Sequence, residues 1–369
     1  MDSSTIVVVL VVIVALGFDF TNGFHDTANA MATSIATKAL KPKVAVGIAS
    51  ALNFVGAFLS LHVAATIAED IVKPDAITPA IILAGLLGGV FWNLITWRLG
   101  IPSSRSHALI GGVIGAVVVA SGFDAVLADG VFGEVLIPAV LAPVIAFGVA
   151  GAATFLVYRR VGGRDSDVTK RSFKLGQIAS ASLVALAHGT NDAQKTMGVI
   201  TLALVANGTL SGDSPDVPTW VIIAAATAIS LGTYIGGWRI IKTLGQKVTE
   251  IETPQGFSAE TSSAAVILAA SQAGYPLSTT HVTSGGVMGA GAGKRLASVH
   301  WGVVGQMATA WIITLPAAGL IAAAFYLVTE GIGTTLAGPV VVAVVGAALA
   351  AYIFYEAQKH DPISAADVG

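Results

Sequence analysis

Two short polar motifs interrupt long apolar stretches and contain the residues best suited to chemistry. Residues 22–29 read NGFHDTAN, and residues 188–195 read HGTNDAQK. Gly23 aligns with Gly189, Asp26 with Asp192, and Asn29 with Lys195. A carboxylate within an apolar segment is costly and usually faces a cavity or a partner. The pattern therefore predicts that Asp26 and Asp192 belong to a buried polar site.

The two aspartates have amide neighbours that suit a small cation. Asn22 lies four residues before Asp26 and so shares its helical face, and Asn191 directly precedes Asp192. These groups could bind Na⁺ through oxygen atoms at the two aspartates, or the acids could take and release protons. Lys195 lies one turn after Asp192, where a fixed cation would compete with Na⁺, and this favours proton coupling. The alternative is that both aspartates are structural, each satisfied by backbone or basic partners.

A second pair of motifs suits an anion. Residues 102–107 read PSSRSH and residues 276–281 read PLSTTH, each before an apolar segment. Proline is favoured in the first turn of a helix, and Ser or Thr caps its free N–H groups. A helix N-terminus offers backbone donors and the positive end of the dipole, which bind anions. The candidate substrate-binding residues are Ser104, Arg105, Ser106, Ser278, Thr279 and Thr280, with Asn29 and Lys195 from the first pair of motifs.

The alternative for each of these serines is plain helix capping. Arg105 is different, because an arginine inside an apolar segment needs an anionic partner. A guanidinium group can bind phosphate oxygens through two parallel hydrogen bonds. The partner of Arg105 is therefore a substrate, Asp26 or Asp192.

Four histidines are candidate supporting residues: His25, His107, His188 and His281. His107 and His281 lie three residues, about one helical turn, after Ser104 and Ser278. There they either orient the cap by hydrogen bonding or titrate, and we favour orientation. His25 and His188 each either line the pathway or satisfy a local carbonyl group.

The elements that must position these residues are membrane-spanning helices. Of the 369 residues, 54% are hydrophobic and 11% are charged, against about 25% charged in soluble domains. The apolar segments are 5–21, 44–67, 79–98, 104–120, 132–158, 175–206, 219–241, 259–274, 280–293, 299–327 and 336–356. Most are close to the ~20 residues that cross a bilayer as a helix. The net charge of −2 argues against a nucleic-acid surface, and the absence of cysteine excludes thiolate metal sites.

The basic residues predict the orientation of these helices. Clusters at 38–43, 159–174, 239–247 and 294–295 should be cytoplasmic by the positive-inside rule. The N-terminus is then outside and the C-terminus inside. Segments 259–274 and 280–293 lie between two basic clusters, so they should enter and leave by the same face as a re-entrant hairpin. Two short ordinary helices are the alternative.

Both pairs of motifs occur in the same order and with similar spacing, which indicates an internal duplication. Residues 1–158 form the first repeat, 159–174 a cytoplasmic basic linker, and 175–369 the second repeat. The helices that hold Asp26 and Asp192 run in opposite directions, so the repeats are inverted. The predicted fold class is an all-α polytopic membrane protein with two inverted-topology repeats, broken helices and re-entrant hairpins. We expect a helix break at Gly23, a matching hairpin from 79–98 and 104–120, and a substrate between the repeats.

The chain resembles the inorganic phosphate transporter (PiT) family, most closely its bacterial low-affinity phosphate permeases. The resemblance rests on GFHDTANA at 23–30, HGTND at 188–192 and the two hairpin motifs, and it covers nearly the whole chain. It implies cation-coupled phosphate symport by an elevator or rocking mechanism. By position it assigns Asp26, Asn29, Ser104, Ser106, Asp192, Ser278, Thr279 and Thr280 to the site. Phe24-His25 and Gln194-Lys195 depart from many sodium-coupled members and resemble the proton-coupled bacterial type.

The expected function is therefore import of inorganic phosphate, alone or as a metal–phosphate complex, coupled to H⁺ rather than Na⁺. We expect a multi-pass protein of a bacterial or archaeal plasma membrane, with no enzymatic activity and no resident cofactor. Its partners are phosphate, the coupling cation and the bilayer, without nucleic acid, and a homodimer is an open alternative. The competing hypotheses are a sulfate permease of the same fold, an intramembrane hydrolase and a channel.

Overall fold

A computed structural model describes residues 2–161, 167–210, 216–295, 299–360 and 363–368, and their regular structure is helical apart from two isolated β-bridges. The helices are α1 Ser3–Ala36, α2 Pro42–Gly56, α3 His62–Glu69, α4 Pro79–Leu99, α5 Arg105–Ser121, α6 Ala128–Gly130, α7 Ile137–Val161, α8 Asp167–Ala206, α9 Thr219–Ile235, α10 Trp238–Lys242, α11 Thr253–Gln272, α12 Thr279–Lys294, α13 Trp301–Ile332 and α14 Ala337–His360. Five helices in these ranges are long and apolar enough to cross a membrane, with the bent α9–α10 pair as a sixth. The predicted all-α polytopic fold is confirmed.

The two longest helices, α1 and α8, pack antiparallel through the centre of the protein. Asn22 of α1 contacts Asp192 of α8, and Thr37, directly after the end of α1, contacts Gln177 of α8. The residue numbers of the contacts on α8 therefore fall as those on the α1 side rise. From Asn22 to Ile35 every residue of α1 is buried. The antiparallel packing is what inverted repeats require, although the inverted topology of the whole halves stays a prediction.

The helix break that we predicted at Gly23 is wrong, because α1 and α8 run without interruption through Gly23 and Gly189. These glycines serve close packing instead. A Cβ atom on Gly23 would lie 2.1 Å from the Ile229 carbonyl oxygen, and one on Gly189 would lie 2.2 Å from that of Asn53. Small residues let membrane helices approach this closely.

Broken helices do occur, at other positions in the fold. The axes of α9 and the segment that begins with α10 differ by 60° across a short break. Gly236 at this break has φ +78°, a left-handed conformation that glycine adopts at little cost. In the first half, α2 likewise ends before α3 begins, with residues 57–61 between them.

Two helical hairpins, α4–α5 and α11–α12, bring their tips together inside the protein. Gly100, with φ +66°, ends α4, and the Ser104 side chain caps α5. The Ser106 hydroxyl at one tip donates to the Leu277 carbonyl at the other over 2.8 Å. Both tips lie against the middle of α1 and α8, as the predicted re-entrant hairpins require.

Each half also contributes a helix that packs against the hairpin of the other half. Helix α5 packs on α13, and α12 packs on α7. A Cβ atom on Gly111 would lie 2.3 Å from the Leu315 carbonyl oxygen, and one on Gly285 would lie 2.4 Å from that of Pro143. Corresponding glycines thus make corresponding contacts in both halves.

The predicted linker 159–174 is largely helical where the structure describes it. Helix α7 extends to Val161 and α8 begins at Asp167. Arg164 lies outside the described residues. The bounds of the two repeats, 1–158 and 175–369, stay predictions.

Candidate functional site

Asp26 lies on α1 and is surrounded by side chains from three other helices. Its carboxylate is 3.4 Å from a guanidinium nitrogen of Arg105 on α5 and 3.5 Å from Nε2 of His188 on α8. The Thr280 hydroxyl at the start of α12 donates to it over 3.2 Å. Only 1% of Asp26 is exposed, so the Arg105 guanidinium supplies its compensating charge.

Asp192 lies on α8 and has a matching set of neighbours. The Lys195 ammonium group, one turn along the helix, forms an ion pair with it. The Thr279 hydroxyl donates to Asp192 over 3.1 Å, and the Asn22 amide donates over 3.4 Å. His188 Nε2 lies 3.1 Å away. Both aspartates are thus engaged by a cation and a hairpin hydroxyl.

His188 links the two aspartates, because its Nε2 atom faces both carboxylates. Its other ring nitrogen, Nδ1, lies 3.1 Å from the side-chain oxygen of Asn53. One ligand atom each from Asp26, His188 and Asp192 lies within 4.8 Å of the others, so the three could hold a metal ion. Any such ion would compete with the basic groups that already engage the carboxylates.

The contacts follow the internal duplication. Asp26 meets Arg105 at the tip of the first hairpin, and Asp192 meets Thr279, the residue after the cap of α12, at the tip of the second. Four residues before each aspartate, a side chain reaches the opposite aspartate: Asn22 reaches Asp192, and His188 reaches Asp26. The two motifs therefore form one site rather than two separate sites.

Asn29 and Lys195, which align in the two motifs, both contact the second hairpin. The Asn29 amide donates to the Thr280 hydroxyl over 3.0 Å. The Lys195 ammonium donates to the Leu277 carbonyl over 2.7 Å as well as pairing with Asp192. The lysine thus places a buried positive charge where the first half has a neutral amide.

The hairpin hydroxyls divide into capping groups and groups that face the aspartates. Ser104 and Ser278 are N-caps, which accept from the backbone N–H groups three residues on, over 3.1 and 3.3 Å. Ser106 binds the opposite hairpin tip. Thr279 and Thr280 face the aspartates, as described above. Residues in the first turns of α5 and α12 contact Asp26 and Asp192. The N-termini of both helices therefore border the site.

Four other predicted residues contact groups other than the two aspartates. The Asn191 amide donates to Ser271 and to the Tyr275 carbonyl, so it does not join Asp192. His107 and His281 face each other, with ring centroids 4.9 Å apart. His25 contacts Arg105 through Nδ1.

Sequence reasoning missed two buried acids, Asp19 on α1 and Glu260 on α11. The Glu260 carboxylate accepts hydrogen bonds from Ser34 and Ser180 over 2.8 and 2.6 Å, and also from Thr33 and Gln177. Asp19 is fully buried. Each acid falls within a predicted apolar segment, 5–21 or 259–274, and that position was the available signal.

The comparisons with known proteins agree with this architecture. The model of the phosphate transporter family matches residues 22–171 and 158–322. The chain belongs to this family. A protein of Mycobacterium leprae, described as a probable low-affinity inorganic phosphate transporter, is 54% identical over 90% of this chain and 80% of its own length. A protein of Bacillus subtilis with the same description is 47% identical over 89% of this chain and 98% of its own.

A solved structure, described as the sodium-dependent phosphate transporter, has the same fold. It superposes with a TM-score of 0.78 at 25% sequence identity, covering 89% of this chain and all of its own. The resemblance found in the motifs is therefore confirmed. Because these relatives are transporters, the hydrolase hypothesis is wrong.

Proposed function

We propose that this protein is a secondary active symporter that imports inorganic phosphate together with a proton. The observation that carries the proposal is the buried meeting point of two helix N-termini, Arg105 and Lys195, with the carboxylates Asp26 and Asp192. Two cations and two anions inside a membrane protein form a site that can accept an anion and a cation together.

Phosphate suits the donors that converge there. Arg105 Nε has no hydrogen-bond partner among the described residues, so the guanidinium keeps a donor for a substrate. The hydroxyls of Thr279 and Thr280 and the backbone N–H groups of the hairpin tips are neutral donors beside it. Charge-assisted and bidentate hydrogen bonds to arginine favour tetrahedral oxyanions such as phosphate. The relatives described as phosphate transporters support this substrate.

The ion pairs of the site favour proton coupling over Na⁺ coupling. Arg105 and Lys195 already pair with Asp26 and Asp192, so Na⁺ would have to displace an ammonium or guanidinium group. A proton needs no coordination shell of oxygen atoms. The solved relative is described as sodium-dependent, which makes the coupling ion the first property to measure.

Further properties stay proposals. We propose a plasma-membrane location with the N-terminus outside and the C-terminus cytoplasmic, from the basic clusters. Two inverted repeats would rock about the shared site, and no resident cofactor is needed. Cargo in the form of a metal–phosphate complex is compatible with the cluster of Asp26, His188 and Asp192. Sulfate offers the same oxygen geometry, and no contact in the site favours it over phosphate.

Uptake by purified protein in proteoliposomes tests the proposal. Labelled phosphate should accumulate when the outside is made acidic, with no Na⁺ present, and unlabelled phosphate should compete more strongly than sulfate. Accumulation that requires Na⁺ and ignores the pH gradient would overturn proton coupling. Absence of phosphate uptake under both gradients, with sulfate uptake instead, would overturn the substrate.

A further inference from the structure

Asp19 is a buried carboxylate whose two oxygen atoms form no hydrogen bond within the part of the chain that the structure describes. It lies on α1 two turns before Asp26, on the same face of the helix, and none of its surface is exposed. An ionised carboxylate buried in this way is very unfavourable. Its ionised form therefore needs compensation from neighbouring donors or cations.

The polar neighbours of Asp19 are also incompletely satisfied. The side chains of Thr196 on α8 and of Asn22 lie beside Asp19, and the Thr196 hydroxyl and the Asn22 Oδ1 atom lack partners within the described chain. The Asn22 amide nitrogen donates to Asp192 over 3.4 Å, so its oxygen is the atom that has no partner among the described residues. Three buried groups therefore meet, and all of them offer oxygen atoms that can accept a hydrogen bond.

We propose that Asp19 is the group that carries the coupling proton, an inference that rests on the proposed proton symport. A proton taken from water forms an O–H bond at one carboxylate oxygen, and that hydroxyl can donate to the Asn22 oxygen. The Thr196 hydroxyl can then donate to the other carboxylate oxygen. Release breaks the same O–H bond and returns the proton to water on the opposite side.

The charges around Asp19 support this assignment. The charged or titratable groups that act on it are His188, Asp192 and Lys195, all on α8. Arg105 and Lys195 are each matched by an aspartate of the main site. Asp19 itself forms no ion pair with any of the described residues. Of the other helices against α1, α9 has only Tyr234, whose side chain is exposed, and α4 has only Arg98.

Asp19 also breaks the symmetry of the duplication. The alignment of Asp26 with Asp192 places Ala185 at the position equivalent to Asp19, and Ala185 is buried. The main site has an aspartate from each half, Asp26 and Asp192, whereas Asp19 has no acidic counterpart in the second half. A single proton-carrying group beside a paired anion site would give one proton site for each substrate site.

The test compares coupled uptake with exchange in proteoliposomes containing Asp19→Asn. The amide mimics a permanently neutral group of the same shape. We expect exchange of external labelled phosphate for internal unlabelled phosphate to continue, because exchange needs no net proton movement. Acceleration by an inward proton gradient, and acidification of a pH dye inside the vesicles on phosphate addition, should be lost. Asp75→Asn, at an exposed carboxylate, is the matched control and should keep both.

The outcomes separate the two proposals. Proton-coupled uptake by Asp19→Asn equal to that of the parent would overturn the role of Asp19. Absence of proton coupling in the parent protein, with exchange intact, would instead overturn the proposed proton symport on which this role rests. Should Asp19→Asn prove unstable, Thr196→Val provides the second variant. Removing this donor should shift the pH dependence of uptake, and an unchanged pH dependence would count against Asp19.

Discussion

Replacing Arg105 by alanine should weaken both phosphate binding and the folded state, and the two effects can be measured separately. The guanidinium lies 3.4 Å from Asp26 and donates to Thr280 over 3.0 Å. A hydrogen bond to a charged group contributes about 1.5–3 kcal/mol. Because 1.4 kcal/mol is a factor of ten, the half-saturation concentration should rise about 10- to 150-fold.

The stability effect follows from the charge that Arg105→Ala leaves behind. Removal of one partner from a buried ion pair costs about 3–5 kcal/mol, because the remaining charge is uncompensated. The Arg105→Ala, Asp26→Asn double variant removes that charge, so it should recover much of the thermal stability. It should not recover transport, since both substrate-facing groups are gone.

The assay is saturation of labelled phosphate exchange in proteoliposomes, with thermal unfolding in detergent measured on the same preparations. Arg98→Ala provides a matched arginine control at the exposed end of α4. An unchanged half-saturation concentration for Arg105→Ala, together with reduced thermal stability, would refute the reasoning. Arg105 would then stabilise Asp26 and have no role toward substrate.

The remaining predictions concern the aspartates and the helix packing. Asp26→Asn and Asp192→Asn should each abolish phosphate uptake while the protein still inserts in the membrane, as measured by uptake and by membrane fractionation; normal transport by both variants would remove them from the mechanism. Gly23→Ala should lower the thermal unfolding temperature, because its Cβ atom would lie 2.1 Å from the Ile229 carbonyl oxygen. Gly17→Ala on the same helix meets nothing within 4 Å, so equal effects of the two substitutions would contradict this explanation.

The sequence was informative where residue chemistry recurs in both halves. An aspartate in an apolar segment needs a polar partner whatever the fold. The sequence alone could therefore assign Asp26 and Asp192 to a buried polar site. The proline and hydroxyl motifs likewise mark helix starts through local geometry alone. Arg105 was expected to pair with an anion, and Asp26 is that anion in the structure.

The sequence misled us where a residue type has more than one structural use. Glycine can break a helix or permit close packing. At Gly23 its role is close packing, because the α9 backbone lies directly against it. Asn191 stands beside Asp192 in the chain, yet successive helical residues point in different directions. Its amide accordingly bonds to Ser271 and Tyr275 rather than joining the aspartate.

Composition and duplicated motifs by themselves determined that this chain is a helical membrane protein with one polar centre. Apolar segments of about 20 residues cross a bilayer as helices, and charged residues within them need polar partners. Only the tertiary structure decided which side chains complete that centre. The antiparallel packing of α1 and α8 places Thr196 beside Asp19, whose other polar neighbour, Asn22, lies on α1 itself. All three keep oxygen atoms without a partner among the described residues. Such a juxtaposition depends on how two distant helices pack, which no local pattern specifies.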